Sequence, residues 1–96
     1  MEQIDKMRKT IISSFSGMNM DMDYNLCIPS VHVMYREEEA VIDIDGKIRH
    51  MSNAFPKEKA DLIIRWISLH KDEIVQNHLR VNHSTEPLIM ITPLDI

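Results

Sequence analysis

The side chains with the widest chemical reach in this sequence are its five histidines, His32, His50, His70, His78 and His83. An imidazole can ligate a metal or move a proton near neutral pH. Ligation from one helix needs His-x-x-x-His or Glu-x-x-His spacing, and neither occurs. His70 and His78 stand eight residues apart, about 12 Å along a helix and too far to share an ion. Across strands, His32 and His50 could share an ion only if the sheet order brings them together. No metal site and no cofactor are expected. A metal-free ribonuclease is the sharper chemical reading. His32 and His50 would serve as base and acid, with Arg36, Arg49 and Lys47 around the phosphate. Against it, Glu37, Glu38, Glu39, Asp43 and Asp45 lie on the same strands and repel a polyanion.

Other motifs reduce to structural roles. With only Gly17 and Gly46, no glycine-rich phosphate loop can form. Asp43-x-Asp45-Gly46 resembles the start of a calcium loop, but the later ligands are missing and a hairpin turn is the better reading. Ser13, Ser14 and Ser16 lack a nucleophile setting. Glu37-Glu38-Glu39 reads as a solvated turn, and Trp66, between Leu62 and Leu69, as core. Cys27, the single cysteine, excludes an internal disulfide and reads as a small half-buried apolar residue.

These side chains must be positioned by one small domain. The chain has 96 residues, 44% hydrophobic and 27% charged, with a formal net charge of −4. That charge opposes the basic footprint of a nucleic-acid binder, so nucleic acid is not an expected partner. No run approaches the roughly 20 apolar residues of a membrane span, and Ser13-Ser14 cuts short any secretory signal at Ile11-Ile12. A lone thiol suits a reducing cytoplasm.

Ile4, Met7, Ile11, Ile12 and Phe15 recur at helical spacing, which predicts a short amphipathic helix over residues 3–13. Residues 1–16 thus form a helical extension to a domain over 17–96. Too short to be stable alone, such a helix must dock on this domain or on another chain. After Gly17, Met18-Asn19-Met20-Asp21-Met22-Asp23 alternates strictly and predicts a strand with three methionines on one face, either packed inside or offered to a partner. Tyr24 to Ser30 is a loop. Residues 31–35, 40–45 and 47–51 are further strands, with Asp45-Gly46 turning the last pair. One long helix opens at Pro56 and runs to about Arg80, followed by a polar loop over Val81 to Pro87. Its stripes, Ala60/Ile63/Ile64/Ile67/Ile74 and Leu62/Trp66/Leu69, require cover on more than one side. Leu88-Ile89-Met90-Ile91 predicts a final strand. The fold class is α+β: an antiparallel sheet of four or five strands on one long helix, plus an N-terminal helix.

Five blocks, in order, carry a resemblance: Pro29-Ser30-Val31-His32-Val33, Glu39 to Gly46, Phe55-Pro56-Lys57, the helix Ile64 to Glu73, and the closing Pro87 to Leu94. Over about residues 17–94 the chain resembles the bacterial domain-of-unknown-function family DUF4160. The resemblance implies an α+β fold and a bacterial, intracellular setting, and no established activity. It departs from the family pattern in two places. Ser30 stands where the first histidine of a His-x-His pair is usual, and Gln76-Asn77-His78 replaces Glu-Asn-Trp. A site needing both histidines of that pair is incomplete here.

The expected function is a non-catalytic protein–protein interaction module, by analogy the acidic partner of a toxin–antitoxin-like two-gene pair. A protein partner or a second copy would be bound through Ile4, Met7, Ile11, Met18, Met20 and Met22. The ribonuclease-type toxin, with His32, His50, Arg36 and Arg49, is the alternative.

Overall fold

The computed structural model describes residues 10–23, 27–83 and 87–95. Five strands run in sequence order as an antiparallel meander: β1 (Ser13–Phe15), β2 (Met18–Met22), β3 (Ser30–Tyr35), β4 (Glu38–Asp43) and β5 (Ile48–Met51). Two helices follow, α1 (Lys57–Leu69) and α2 (Lys71–His83). The class is α+β, as expected.

The sheet takes its sidedness from β2 to β4. Met18, Met20 and Met22, with Val31, Val33, Ala40 and Ile42, are buried on one face. Each large side chain among them stabilises the fold by about 1.5–3 kcal/mol. Helix α1 packs over β4, and α2 over β2 and β3, on this face. Ala60, Ile63, Trp66, Ile67 and Ile74 close the core from the helical side. The alternate residues Asp21, His32 and Glu39 are thereby set on the opposite face.

Three expected elements take another form. The predicted N-terminal helix lies mostly in residues 1–9, outside the described residues, but its end is not helical. Residues 10–12 are irregular and Ser13 opens β1, which pairs with β2 through Ser13↔Met20, Ser14↔Asn19 and Phe15↔Met18. Ser16 (φ 53°) and Gly17 (φ 79°) make the tight turn between them, a left-handed pair suited to a two-residue hairpin. Ile12 is fully buried, and the hairpin crosses the expected boundary after residue 16. Pairing along β2 outweighs the local helical spacing here, because a three-residue strand is too short to announce itself by period.

The long helix is broken at His70, whose backbone (φ −130°, ψ 32°) is not helical. A straight helix over residues 57–83 would be about 40 Å long, against a longest molecular dimension of 34 Å. The break lets α2 turn back over β2 and β3. His70 joins the two pieces, its N–H donating to Ile67 O, its carbonyl accepting from Ile74 N–H, and its Nδ1 2.6 Å from Glu73 Oε1.

Finally, the predicted strand at residues 88–91 is absent; Ile91 and Leu94 are buried and Met90 is exposed. One backbone bond, Ile91 N to Ile12 O at 2.8 Å, replaces a ladder. Side chains do the rest. Asn77, fully buried, donates from Nδ2 to Ile89 O (2.9 Å) and accepts from Ile89 N–H at Oδ1 (2.6 Å). Trp66 Nε1 donates to Thr92 O at 2.9 Å. The C-terminal segment is thus the cover for the second side of α1, over Trp66 as core. Leu69, expected in that stripe, is 63% exposed.

Asn77→Ala would leave two backbone groups of Ile89 without partners, at a cost of about 2–3 kcal/mol. Urea unfolding of both proteins checks this, and a difference under about 0.5 kcal/mol would show that the clamp does not hold the segment.

Candidate functional site

Strand register builds a polar cluster on the sheet's open face around the buried His32. Asp21 on β2 is paired with His32 on β3, and Val41 on β4 stands opposite both His32 and His50. A bulge between Val41 and Ile42 shifts the β4–β5 register. His32 and His50 therefore lie on one face, two strand spacings or about 9.5 Å apart by backbone. The sheet order does bring the two histidines to one face.

The side chains form a row. His32 Nδ1 is 3.1 Å from Asp21 Oδ1 and 3.4 Å from Oδ2. His32 Nε2 is 2.8 Å from Glu39 Oε1, and His50 Nε2 is 3.7 Å from Glu39 Oε2. The His32 side chain is 10% exposed and that of Asp21 9%, whereas Glu39 and His50 are 46% and 55% exposed. A neutral imidazole has one N–H. Facing carboxylates at both nitrogens, His32 satisfies both contacts only with a second proton, on the ring or on Glu39. Burial at this position is tolerated because both partners are supplied by the adjacent strands.

The two arginines of the catalytic alternative are not in the row. Arg49 Nε donates to Asp43 Oδ2 at 2.9 Å. The Arg36 guanidinium carbon is 5.0 Å from the Tyr35 ring centroid, as is Lys59 Nζ. Arg36 is four residues along β3 and its turn from His32, about 13 Å of strand. It lines an open cleft of about 540 Å³ with Tyr35, Glu37, Glu38, Ala54 and Pro56. Cation and histidines are separated by the length of the strand.

The proposed contact methionines, Met18, Met20 and Met22, are 0–1% exposed in the chain's own core, because α2 covers them. Ile4 and Met7 lie outside the described residues. Ile11 is 44% exposed. Cys27 is exposed rather than half-buried. Glu39 belongs to β4, not to a solvated turn, and the turn is Arg36-Glu37. Asp21 and Glu39 are the residues that sequence reasoning missed. The alternation already placed Asp21 opposite the methionines; only the register could place it beside His32. Among the described residues, no group of three or more His, Cys, Asp or Glu side chains is placed to hold a metal ion. No described helix is long and apolar enough to cross a membrane.

Asp43 closes the β4–β5 connection. Its Oδ1 accepts the N–H groups of Asp45 (2.9 Å) and Lys47 (3.0 Å), while Gly46, at φ 84°, makes the turn. Burial opposes ionisation of this carboxyl, but the hydrogen bonds from Lys47, Asp45 and Arg49 and the Arg49 charge together outweigh it, and its pKa lies below the ordinary carboxylate value. A lowered folded pKa means that Asp43 stabilises the fold fully above about pH 4, the range of an unfolded carboxylate, and progressively less as pH falls through the folded value. Asp43→Asn should lower the thermal midpoint at neutral pH and flatten the acid limb of the midpoint-against-pH curve. Thermal melts between about pH 2 and pH 7 test this; parallel acid limbs in both proteins would remove Asp43 from that role.

Searches of curated proteins and of solved structures returned no match. One family profile does match, described as a domain of unknown function, DUF4160, over residues 22–78. The match starts at the last residue of β2 and takes in β3, β4, β5, α1 and most of α2, with His32, Glu39 and His50. Covering more than half of the chain, it establishes that this protein belongs to the DUF4160 family.

Proposed function

We propose that this chain is a non-catalytic protein–protein interaction module of the cytoplasm, the acidic member of a toxin–antitoxin-like two-gene pair whose other member is basic. The observation that carries the reading is the closure of the His32 site on itself. Both ring nitrogens face carboxylates, so the ring presents no nitrogen to a substrate, and Arg49 is neutralised by Asp43. Acid–base work needs a nitrogen within hydrogen-bond reach of the substrate's proton. The net charge of −4 supports a cationic partner protein over RNA.

With the methionines inside the core, Ile4, Met7 and Ile11 remain as the assigned contact residues. Ile11 suits the role, being exposed while its neighbour Ile12 anchors the backbone in the core. The ribonuclease-type reading keeps one favourable observation, the approach of His32 and His50 to a single carboxylate.

Affinity capture from the source cells with the full chain and with Ile11→Asp, identifying bound protein and nucleic acid, separates the two. A stoichiometric basic protein, retained by the natural chain and lost from Ile11→Asp, is the expected result. RNA released steeply by salt, with no protein partner, would overturn the reading and favour the nuclease.

A further inference from the structure

We infer that the row Asp21–His32–Glu39–His50 is a proton-operated latch on the edge strand β5, closed while a proton lies between His32 and Glu39 and opened when it is lost. This device is independent of the interaction reading.

The manner in which β5 is held makes a latch effective. It ends the sheet, and among the described elements it packs against β4 alone. Ile48, Arg49 and His50 are exposed and Met51 is half-buried. A bulge between Val41 and Ile42 shifts the β4–β5 register. So short a strand with no cover of its own is marginally held by its ladder. Side chains reinforce both ends. At the hairpin end Arg49 Nε donates to Asp43 Oδ2 at 2.9 Å. At the other end Glu39 is the tie. Its carbonyl accepts from Ser52 N–H (2.9 Å) and its N–H donates to Ser52 Oγ (3.1 Å). Its carboxylate meets His32 Nε2 through Oε1 and His50 Nε2 through Oε2.

The two ends differ in what titrates them. Asp43 stays ionised throughout the neutral range, whereas imidazoles change charge there. With a second proton present, His32 satisfies Asp21 and Glu39 together. When that proton leaves to solvent, one ring nitrogen turns a lone pair toward a carboxylate, and that contact becomes repulsive. The Asp21 side chain is 9% exposed and that of Glu39 46%. The remaining N–H therefore stays with Asp21, and Glu39 swings into water, leaving His50 as well.

The charged groups facing the ring come from each strand of this face: Asp21 from β2, Glu39 from β4 and, beyond it, His50 from β5. Asp23 lies farther along β2, and Asp43 is bound to Arg49. The helices pack on the opposite face. Burial disfavours the charged ring, and the two carboxylates in contact with it favour it more strongly. The folded chain thus holds the proton more tightly than the unfolded chain. The latch contributes fully below the unfolded histidine value and is lost as pH rises through the folded one.

The test is amide hydrogen exchange by NMR on the full chain at about pH 6 and about pH 8.5, spanning histidine titration, with each rate divided by its intrinsic rate. Ser52 N–H, bonded to Glu39 O, reports on the latch; Ile12 N–H, bonded to Met20 O beside the opposite edge, is the control. Between the two pH values, Ser52 protection should fall at least about tenfold relative to Ile12, the equivalent of one pKa unit. In Glu39→Gln the amide N–H can donate to the neutral Nε2, so protection should not change with pH. In His50→Ala, which removes an exposed side chain, Ser52 should already exchange at the lower pH as the natural chain does at the higher. An unchanged natural profile, an equal fall at Ile12, the same fall in Glu39→Gln, or full protection retained by His50→Ala would each overturn the latch. If circular dichroism shows Glu39→Gln unfolded, the natural chain and His50→Ala still decide.

Discussion

The structure depends on the two-residue period of β2, β3 and β4. In a strand, successive side chains point to opposite faces, so committing Met18, Met20 and Met22 to the core commits Asp21 to the other side. The same holds for Val31 and Val33 against His32, and for Ala40 and Ile42 against Glu39. A slip of one residue would expose the apolar row and bury the charged one. The helical cover and the polar row are therefore two consequences of one register, and neither can change alone.

That coupling bears on how the polar row is tolerated. Burying an ionisable group is costly unless partners are supplied, and removing one partner leaves the others stranded. His32 is met from both neighbouring strands, by Asp21 and by Glu39. The row therefore acts as a check on pairing, since only the observed register offers both carboxylates to the ring. A ring so held is poorly suited to shuttling protons with a passing substrate. It is well suited to being a structural clasp between strands.

The other side of the molecule is organised by side-chain bonds to backbone. The segment after α2 contributes Ile91 and Leu94 to the core without joining the sheet through a ladder. Asn77 takes the place of a strand partner at Ile89, and the Trp66 indole does so at Thr92. Each clamp comes from a different helix, so the break at His70 and the course of the terminal segment are linked. A continuous rod would carry Asn77 away from Ile89.

Much of this architecture was legible in the residues. The methionine alternation, the positive-φ turn at Gly46, the proline at the start of α1 and the Ile63-Trp66-Ile67 stripe each encode their element locally, because period and backbone preference are properties of neighbouring residues. The family blocks were legible for the same reason, and the net charge needed only counting. What the tertiary structure decided were the choices that local signals leave balanced. Residues 13–15 pair with β2 because a strand partner is present. The long helical pattern divides because the core is shorter than the rod. The terminal apolar run docks through Asn77 and Trp66 rather than through a ladder. The row Asp21–His32–Glu39–His50 belongs wholly to this second class. Its members lie up to twenty-nine residues apart in sequence, and their meeting follows from strand order and register, which no single segment contains.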